Sequence, residues 1–261
     1  MRTVTATRYV TPLREGGSLP AVVEADDDGL YVLKFRGAGQ GTKALVAELL
    51  AGEIARALAL PVPEIVFIQL DTELARTEPD PEIQDLIRAS GGINLGLDYL
   101  SGALAFDPLA DPTDADLASR IVWLDAFVTN LDRTARNTNM LMWHRKLWLI
   151  DHGAALYFHH AGLGDPAAAL NPFPLVRDHV LLPRASRLAA VDAALAARLT
   201  RPALKAIVGL VPDDWLAGEH GAASADAADA ARAAYLDHFL RRLAAPRAFV
   251  AEAVRAHDAH V

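Results

Sequence analysis

The order of strand-like and helix-like segments is what most restricts the fold of this chain. Residues 3–12, 21–24 and 30–35 have strand-like apolar patterns and are separated by turns rich in Gly and Asp. They predict a three-stranded antiparallel meander. After residue 101 the apolar spacing becomes helical. The sequence therefore predicts an α+β, two-lobed fold, with a β-rich lobe over 1–100 and a helical lobe over 101–261.

One strong helix interrupts the first lobe. Apolar residues recur at helical spacing over 42–59, with Thr42 as the expected cap and Pro61 just beyond the end. Two further strand patterns, 64–70 and 93–100, follow this helix. The first lobe is thus expected to hold one sheet and one main helix.

The second lobe is expected to begin with a helix and a small hairpin. Apolar spacing predicts a helix over 114–130, and 140–143 and 147–150 predict two short strands. Amphipathic helices are expected from residue 175 to the end. Since 52% of the 261 residues are apolar and 22% are charged, the chain can bury a substantial core.

Charge and composition exclude several classes of protein. The net charge of −8 argues against non-specific binding to nucleic acid, which needs basic residues. The absence of cysteine excludes disulfides, thiolate zinc sites and a cysteine nucleophile. Apolar runs fall short of the roughly 18 residues that span a membrane, and the polar start is not typical of a signal peptide. A cytoplasmic protein without membrane or nucleic-acid partners is expected.

A lysine inside an apolar strand is the first candidate functional residue. Lys34 lies in the sequence Tyr-Val-Leu-Lys-Phe, where an ammonium group pointing inward needs an anionic partner. Glu48 and Glu53 on the following helix are the candidates. They are five residues apart, so only one of them is expected to face inward.

A polar stretch between two apolar elements is the second candidate. Residues 130–139 (Asn-Leu-Asp-Arg-Thr-Ala-Arg-Asn-Thr-Asn) are too dense in Asp, Arg and Asn for a simple linker. Asp132 can orient or deprotonate a nucleophile, and an Asn five or seven residues later, Asn137 or Asn139, can offer an amide oxygen to a metal. Arg133 or Arg136 could stabilise charge in a transition state.

The third candidate is Asp151, at the end of an apolar strand and two residues before Gly153. A carboxylate oxygen is a ligand that Mg²⁺ prefers. A chain order of Lys, Glu, Asp followed by Asn, and Asp-x-Gly provides the parts that phosphoryl transfer uses.

These segments resemble the HipA-like branch of the protein-kinase-like superfamily, which is also similar to the phosphatidylinositol kinases. The resemblance is carried by the sequences around Lys34, over 46–64, over 130–141 and over 147–156. It implies an ATP- and magnesium-dependent kinase that phosphorylates a hydroxyl acceptor, either a small molecule or Ser/Thr of a protein.

The resemblance also implies residue roles. Lys34 corresponds to the lysine that holds nucleotide phosphate, Glu48 to its helix partner, Asp132 to the catalytic aspartate, and Asp151 to the magnesium aspartate. Gly16, Gly17 and Ser18 take the place of the phosphate-covering loop. Asn137 has the usual spacing from Asp132, whereas Asn139 has the usual position beside the strand, so both stay candidates for the metal.

Departures from the family pattern leave other functions open. The usual histidine before Asp132 is absent, and His152 replaces the phenylalanine of Asp-Phe-Gly. A kinase fold that transfers AMP, and an inactive nucleotide-binding pseudokinase, are the alternatives.

Three weaker patterns are set aside. The glycines of 37–41 lack the phosphate-loop pattern and predict a mobile connection. His152, His159, His160 and Asp165 match no strong metal-binding motif. A hydrolase triad containing Ser18 and His179 lacks the Gly-x-Ser-x-Gly elbow.

Overall fold

The computed structural model describes residues 1–13, 19–161, 163–216 and 224–260. The first part is a five-stranded closed barrel in the order β1-β2-β3-β5-β4. Its strands are β1 (Thr3–Pro12), β2 (Ala21–Ala25), β3 (Leu30–Lys34), β4 (Ile65–Leu70) and β5 (Gly92–Asp98). The predicted antiparallel meander of β1, β2 and β3 is confirmed.

The barrel closes because β1 pairs with two neighbouring strands. Its first residues pair in parallel with β4, with Thr3 opposite Phe67, and its later residues pair with β2. Two register irregularities, one beginning at Ala6 and one at Tyr9, bend the strand between these partners. The barrel encloses its own apolar core, which includes Val23, Leu33 and Ile68.

Helix α1 (Gly41–Ala57) belongs to the other core of the molecule. Its buried face, including Leu45, Leu49 and Ile54, packs in a cluster with Trp123 and Phe127 of the helical part. The expected cap is wrong: the residue before the helix is Gln40, and the Thr42 hydroxyl instead donates to the carbonyl of Trp215, 3.0 Å away.

A small sheet and helix α3 (Ala115–Phe127) open the helical part. The sheet contains β6 (Leu104–Ala105), β7 (Met140–Trp143) and β8 (Lys146–Leu149), in that order. The polar stretch 130–139 therefore runs from the end of α3 into β7, and Asp151 follows β8 by two residues. The two candidate carboxylates therefore lie in the segments that follow α3 and β8.

The remaining elements are helical. The α-helices are α2 (Pro81–Ala89), α4 (Phe158–Ala161), α5 (Pro166–Ala169), α6 (Leu188–Arg198), α7 (Arg201–Val208), α8 (Asp213–Leu216), α9 (Ala225–Leu243) and α10 (Ala248–Asp258). Short 3₁₀ helices span Thr72–Thr77, Pro174–Asp178 and Leu182–Arg184. None of the helices in the described residues has the length and apolar character needed to cross a membrane.

Both ends of α1 are fastened to the helical part. At its C-terminus, Arg198 donates to the carbonyl of Ala57 at 3.1 Å, and Arg120 donates to that of Leu58 at 2.7 Å. These bonds satisfy carbonyls that a helix end leaves without intrahelical partners. At its N-terminus, Thr42 bonds Trp215 of α8.

Trp215 also joins α8 to the barrel. Its indole N–H donates to the carbonyl of Ile93 at 3.0 Å, and its ring meets Phe67 edge-on at a centroid distance of 5.7 Å. The side chain is buried, with 2% of its surface exposed. Trp215 thereby fixes the barrel, α1 and the helical part relative to one another.

We expect Trp215→Ala to lower the free energy of unfolding by about 3–5 kcal/mol, because it removes a buried aromatic ring and leaves a cavity. Urea denaturation measures this change. Trp143→Ala is the matched control, since Trp143 is only half-buried and bonds the Ser101 carbonyl through its indole N–H. Equal losses for the two variants would contradict the role given to Trp215.

Candidate functional site

Lys34 brings the barrel and the helical part together at one point. Its Nζ lies 2.8 Å from Oδ1 of Asp151 and 3.8 Å from Oε2 of Glu48. Only 12% of the Lys34 side chain is exposed, so the ammonium depends on these two carboxylates. The predicted partner Glu48 thus faces inward, whereas Glu53 pairs with Arg56 at 3.5 Å on another face of α1.

The protonation states follow from this arrangement. Burial alone would lower the pKa of the Lys34 ammonium, but Glu48 and Asp151 outweigh burial and raise it. Burial alone would raise the pKa of Glu48, but Lys34 and His152 lower it to about 2. The lysine is therefore positive and Glu48 negative at neutral pH.

His152 extends this cluster in a way that sequence comparison with Asp-Phe-Gly did not predict. Its Nδ1 lies 3.4 Å from Oε1 of Glu48, and the ring is fully buried. Glu48 is thus held between Lys34 of β3 and the residue that follows Asp151. The sequence places His152 directly after Asp151, but only the packing of α1 onto this segment brings the His152 and Glu48 side chains together.

A cavity opens beside these charges. It is lined by Lys34, Glu48 and Asp151 together with Gln40, Gly41 and Ala44. The glycine-rich connection over residues 37–41, which the sequence did not assign to the site, therefore borders the charged cluster. It does so because it leads directly into the N-terminus of α1.

Asp132 lies next to this cluster through Asn139. Oδ2 of Asp132 accepts hydrogen bonds from the side-chain amides of Asn137 at 2.7 Å and Asn139 at 3.2 Å. The Asn139 amide also lies 3.4 Å from the backbone oxygen of Asp151. Asn139 therefore bridges the two aspartate segments and is largely buried. Asn137 is exposed, and its side-chain amide bonds Asp132.

The backbone at the site takes unusual conformations. Asn139 and Asp151 have φ angles of 48° and 54°, in the left-handed region. Asn and Asp tolerate this region better than most residues, although it costs free energy. These conformations turn both side chains toward Asp132 and Lys34 at the ends of their elements.

Arg133 lies behind the site and not in the cavity. Its side chain is fully buried, and its Nε donates to Oδ2 of Asp125 at 2.6 Å. Arg136 is exposed on the same loop. The geometry thus gives Arg133 structural contacts in place of the predicted contact with reacting groups, because its guanidinium is committed to a buried carboxylate.

The remaining candidates from the sequence are the predicted phosphate-covering loop and a pair of adjacent histidines. Gly16, Gly17 and Ser18 lie outside the described residues. His159 bonds the hydroxyl of Tyr235 through Nδ1 at 2.9 Å and lies 3.2 Å from His160 through Nε2. In the described part of the chain, no three His, Cys, Asp or Glu side chains are grouped so that they could hold a metal ion by themselves.

Sequence analysis missed Asp125 and its pairing with His179, which are both buried behind the site. Asp125 stands in an otherwise apolar helical run, Ile-Val-Trp-Leu-Asp-Ala-Phe-Val, and this was the available signal. The sequence named His179 only as a hydrolase-triad candidate, because its partner Asp125 is 54 residues away and meets it only in the fold.

A barrel with one helix, a helical part and a charged cleft between them define a protein-kinase-like fold. Residues 7–245 match the sequence model described as HipA-like kinase. The chain therefore belongs to the HipA-like kinase family.

A solved kinase structure agrees with this fold. The proinflammatory kinase CtkA of Helicobacter pylori is similar over 99% of both chains, with 13% sequence identity and a TM-score of 0.50. The Golgi casein kinase with Mn/ADP bound is similar over 97% of this chain and 75% of its own, with 12% identity and a TM-score of 0.48. No curated protein matches the sequence.

We expect Glu48→Gln to lower the free energy of unfolding by about 3 kcal/mol at neutral pH, since it removes one partner of a buried ion pair. The pKa of Glu48 is lowered from 4.5 to about 2, so this contribution is fully present above pH 4.5 and is lost as the pH falls toward 2. Urea titrations of both proteins across this pH range measure the difference.

Glu53→Gln is the control on the same helix, and its small ion pair predicts a loss below about 1 kcal/mol. A difference between wild type and Glu48→Gln that stays constant down to the lowest pH would contradict the electrostatic account.

Proposed function

We propose that this protein binds ATP with Mg²⁺ and transfers the γ-phosphoryl group to a hydroxyl acceptor. The observation that carries the proposal is the convergence of Lys34, Asp132 and Asp151 at one cleft between the barrel and the helical part. Lys34 contacts Asp151 directly, and Asn139 joins Asp151 to Asp132. Membership of the HipA-like kinase family supports the same activity.

The residues present fit a magnesium ion. Asp151 is 41% exposed, so its carboxylate can reach a ligand, and the Asn139 amide adjoins it. Mg²⁺ is usually bound by one or two carboxylates together with nucleotide phosphates and water, so a cluster of three acidic or histidine ligands is not needed. When bound, the ion would neutralise charge on the phosphates. Asp151 and Asn139 are the proposed ligands, with Asn137 the alternative amide.

Lys34 and the start of α1 would hold the phosphates. In the nucleotide complex, the Lys34 ammonium would turn from Asp151 toward phosphate oxygens and keep Glu48 as its partner. Backbone N–H groups at the start of α1 border the same cavity and favour negative charge. Gly16, Gly17 and Ser18 remain proposed phosphate contacts by family resemblance.

Asp132 would act on the acceptor. Its carboxylate accepts the hydroxyl proton or orients the hydroxyl while the acceptor oxygen forms a bond to the γ-phosphorus. The bond from that phosphorus to the bridging oxygen of ATP breaks, and ADP leaves. Asn137 and Asn139 donate to one oxygen of Asp132, which fixes the carboxylate while its other oxygen faces the acceptor.

The connection between the barrel and the small sheet is the proposed adenine site. Strand β5 ends at Asp98, and the chain turns at Gly102 with a φ angle of 77°. The indole of Trp143 donates to the Ser101 carbonyl at 3.0 Å and holds this turn against β7. Adenine would lie beneath residues 97–102. The acceptor is a small molecule or Ser/Thr of a protein.

We expect Asp151→Ala to abolish the Mg²⁺ dependence of ATP binding, because the ion loses its carboxylate. Asp132→Ala should keep this binding and lower turnover by at least about 100-fold, the scale of general-base catalysis. Calorimetry with a non-hydrolysable ATP analogue measures binding, and ADP release measures turnover. Asp85→Ala, an exposed carboxylate on α2, is the control and should change neither quantity.

The outcomes distinguish the alternatives. Undiminished turnover by Asp151→Ala would reject the site assignment. Binding of Mg²⁺ and ATP without turnover for any acceptor would favour a pseudokinase. Modified acceptors that carry AMP in place of phosphate, as determined by mass spectrometry, would show that the fold transfers a nucleotide.

A further inference from the structure

A fully buried carboxylate at the end of α3 collects hydrogen bonds from three directions. Oδ1 of Asp125 accepts from the amide of Asn130 at 3.0 Å, and Oδ2 accepts from Nε of Arg133 at 2.6 Å and from Nε2 of His179 at 2.9 Å. Burial alone would raise the pKa of Asp125, but Arg133 and His179 outweigh burial and hold it well below its usual range. The Asp125 carboxyl group is therefore ionised at neutral pH.

One arm of this network reaches Asp132. The side-chain oxygen of Asn130, whose amide is bonded to Asp125, accepts the backbone N–H of Asp132 at 3.1 Å. The position of the proposed catalytic carboxylate along its loop is thus set from the end of α3.

A second arm reaches the proposed metal ligands. Nη1 of Arg133 donates to the backbone carbonyl of Asn139 and lies 3.5 Å from that of Ile150, the residue before Asp151. The Ile150 backbone N–H also donates to the Asn139 carbonyl at 3.0 Å. The rigid, planar guanidinium of Arg133 adds a second connection between these two segments.

The third arm comes from the segment that follows the 3₁₀ helix Pro174–Asp178. The Leu181 backbone N–H donates to Nδ1 of His179 at 3.0 Å, so Nδ1 is an acceptor and Nε2 carries the proton that bonds Asp125. The same segment bonds the loop directly, since the N–H of Val180 donates to the carbonyl of Arg133 at 3.1 Å. His179 thereby joins this segment to α3, and Val180 joins it to the loop that holds Asp132.

We propose that Asp125, Arg133 and His179 are positioning residues, which set the distance between Asp132 and the metal-binding pair Asn139 and Asp151. The proposal rests on the proposed function, and it assigns these three side chains no contact with ATP or the acceptor. Each acts through the backbone or side chain of a residue in the cleft. Moving the carbonyls of Asn139 and Ile150 would misplace the proposed metal ligands even in a folded protein.

The test uses Mn²⁺ as the probe, in the presence of a non-hydrolysable ATP analogue, with binding followed by electron paramagnetic resonance. Arg133→Lys keeps the charge but cannot reach Asp125 and both carbonyls together. It should weaken Mn²⁺ binding by about tenfold or more, the usual effect of removing a residue that orients metal ligands. The kcat for ADP release should fall with it, while the KM for ATP changes little.

Substitutions of His179 give a milder test that includes a rescue variant. His179→Leu removes the N–H donor to Asp125 and should shift Mn²⁺ binding in the same direction. His179→Gln should restore much of the affinity, since a glutamine amide can donate to Asp125 from nearly the same place. Arg247→Lys is the matched control: Arg247 forms a two-bond pair with Asp192 away from the cleft, and its loss should leave Mn²⁺ affinity unchanged.

The results separate positioning from stability and from the proposed function itself. A merely structural role would lower the thermal unfolding temperature and the folded fraction, yet leave the Mn²⁺ affinity of the folded protein as in wild type. That result for Arg133→Lys and His179→Leu overturns the positioning proposal while the kinase proposal stands. A wild-type protein that binds no Mn²⁺ with the ATP analogue would overturn both.

Discussion

The ion pair between Lys34 and Asp151 is the interaction on which the arrangement of the site depends. It joins a barrel strand to the segment after β8, two parts of the chain separated by 117 residues. A nearly buried ammonium is costly without anions, so Glu48 and Asp151 must both come close to it. This requirement fixes the barrel, α1 and the small sheet at one cleft.

Helix α1 fixes the two sides of that cleft relative to each other. The helix follows the barrel strands in sequence, yet its apolar face packs in the core of the helical part. Arg120, Arg198 and Trp215 hold its two ends there. An outward swing of α1 that moved Glu48 away from Lys34 would therefore break bonds at both ends of the helix.

The residues proposed to react and those proposed to position them differ in burial. Asp132 and Asp151 are partly exposed, whereas Asp125 and Arg133 are wholly buried behind them. A buried, hydrogen-bonded network has few alternative arrangements, so it can hold loop residues in place. The left-handed backbone of Asn139 and Asp151 is tolerated because Arg133 and the neighbouring strands fix the carbonyls around it.

The sequence by itself determined the order of the main strands and helices and the main polar residues, because these follow from local periodicity and from the placement of charges in apolar segments. The family followed from the resemblance of particular segments, such as 130–141, to HipA-like kinases, and the match over residues 7–245 shows it. An isolated Lys in an apolar strand required an anion, and the structure supplied Glu48. Only the tertiary structure decided between Glu48 and Glu53 as the partner of Lys34. It also distinguished the contacts of Asn139 from those of Asn137, and it showed that the Arg133 side chain is buried against Asp125. It also brought His179 to Asp125, closed the barrel through β1, and placed Trp215 on α1. Each of these depends on contacts between segments far apart in the chain, which local patterns of residues do not record.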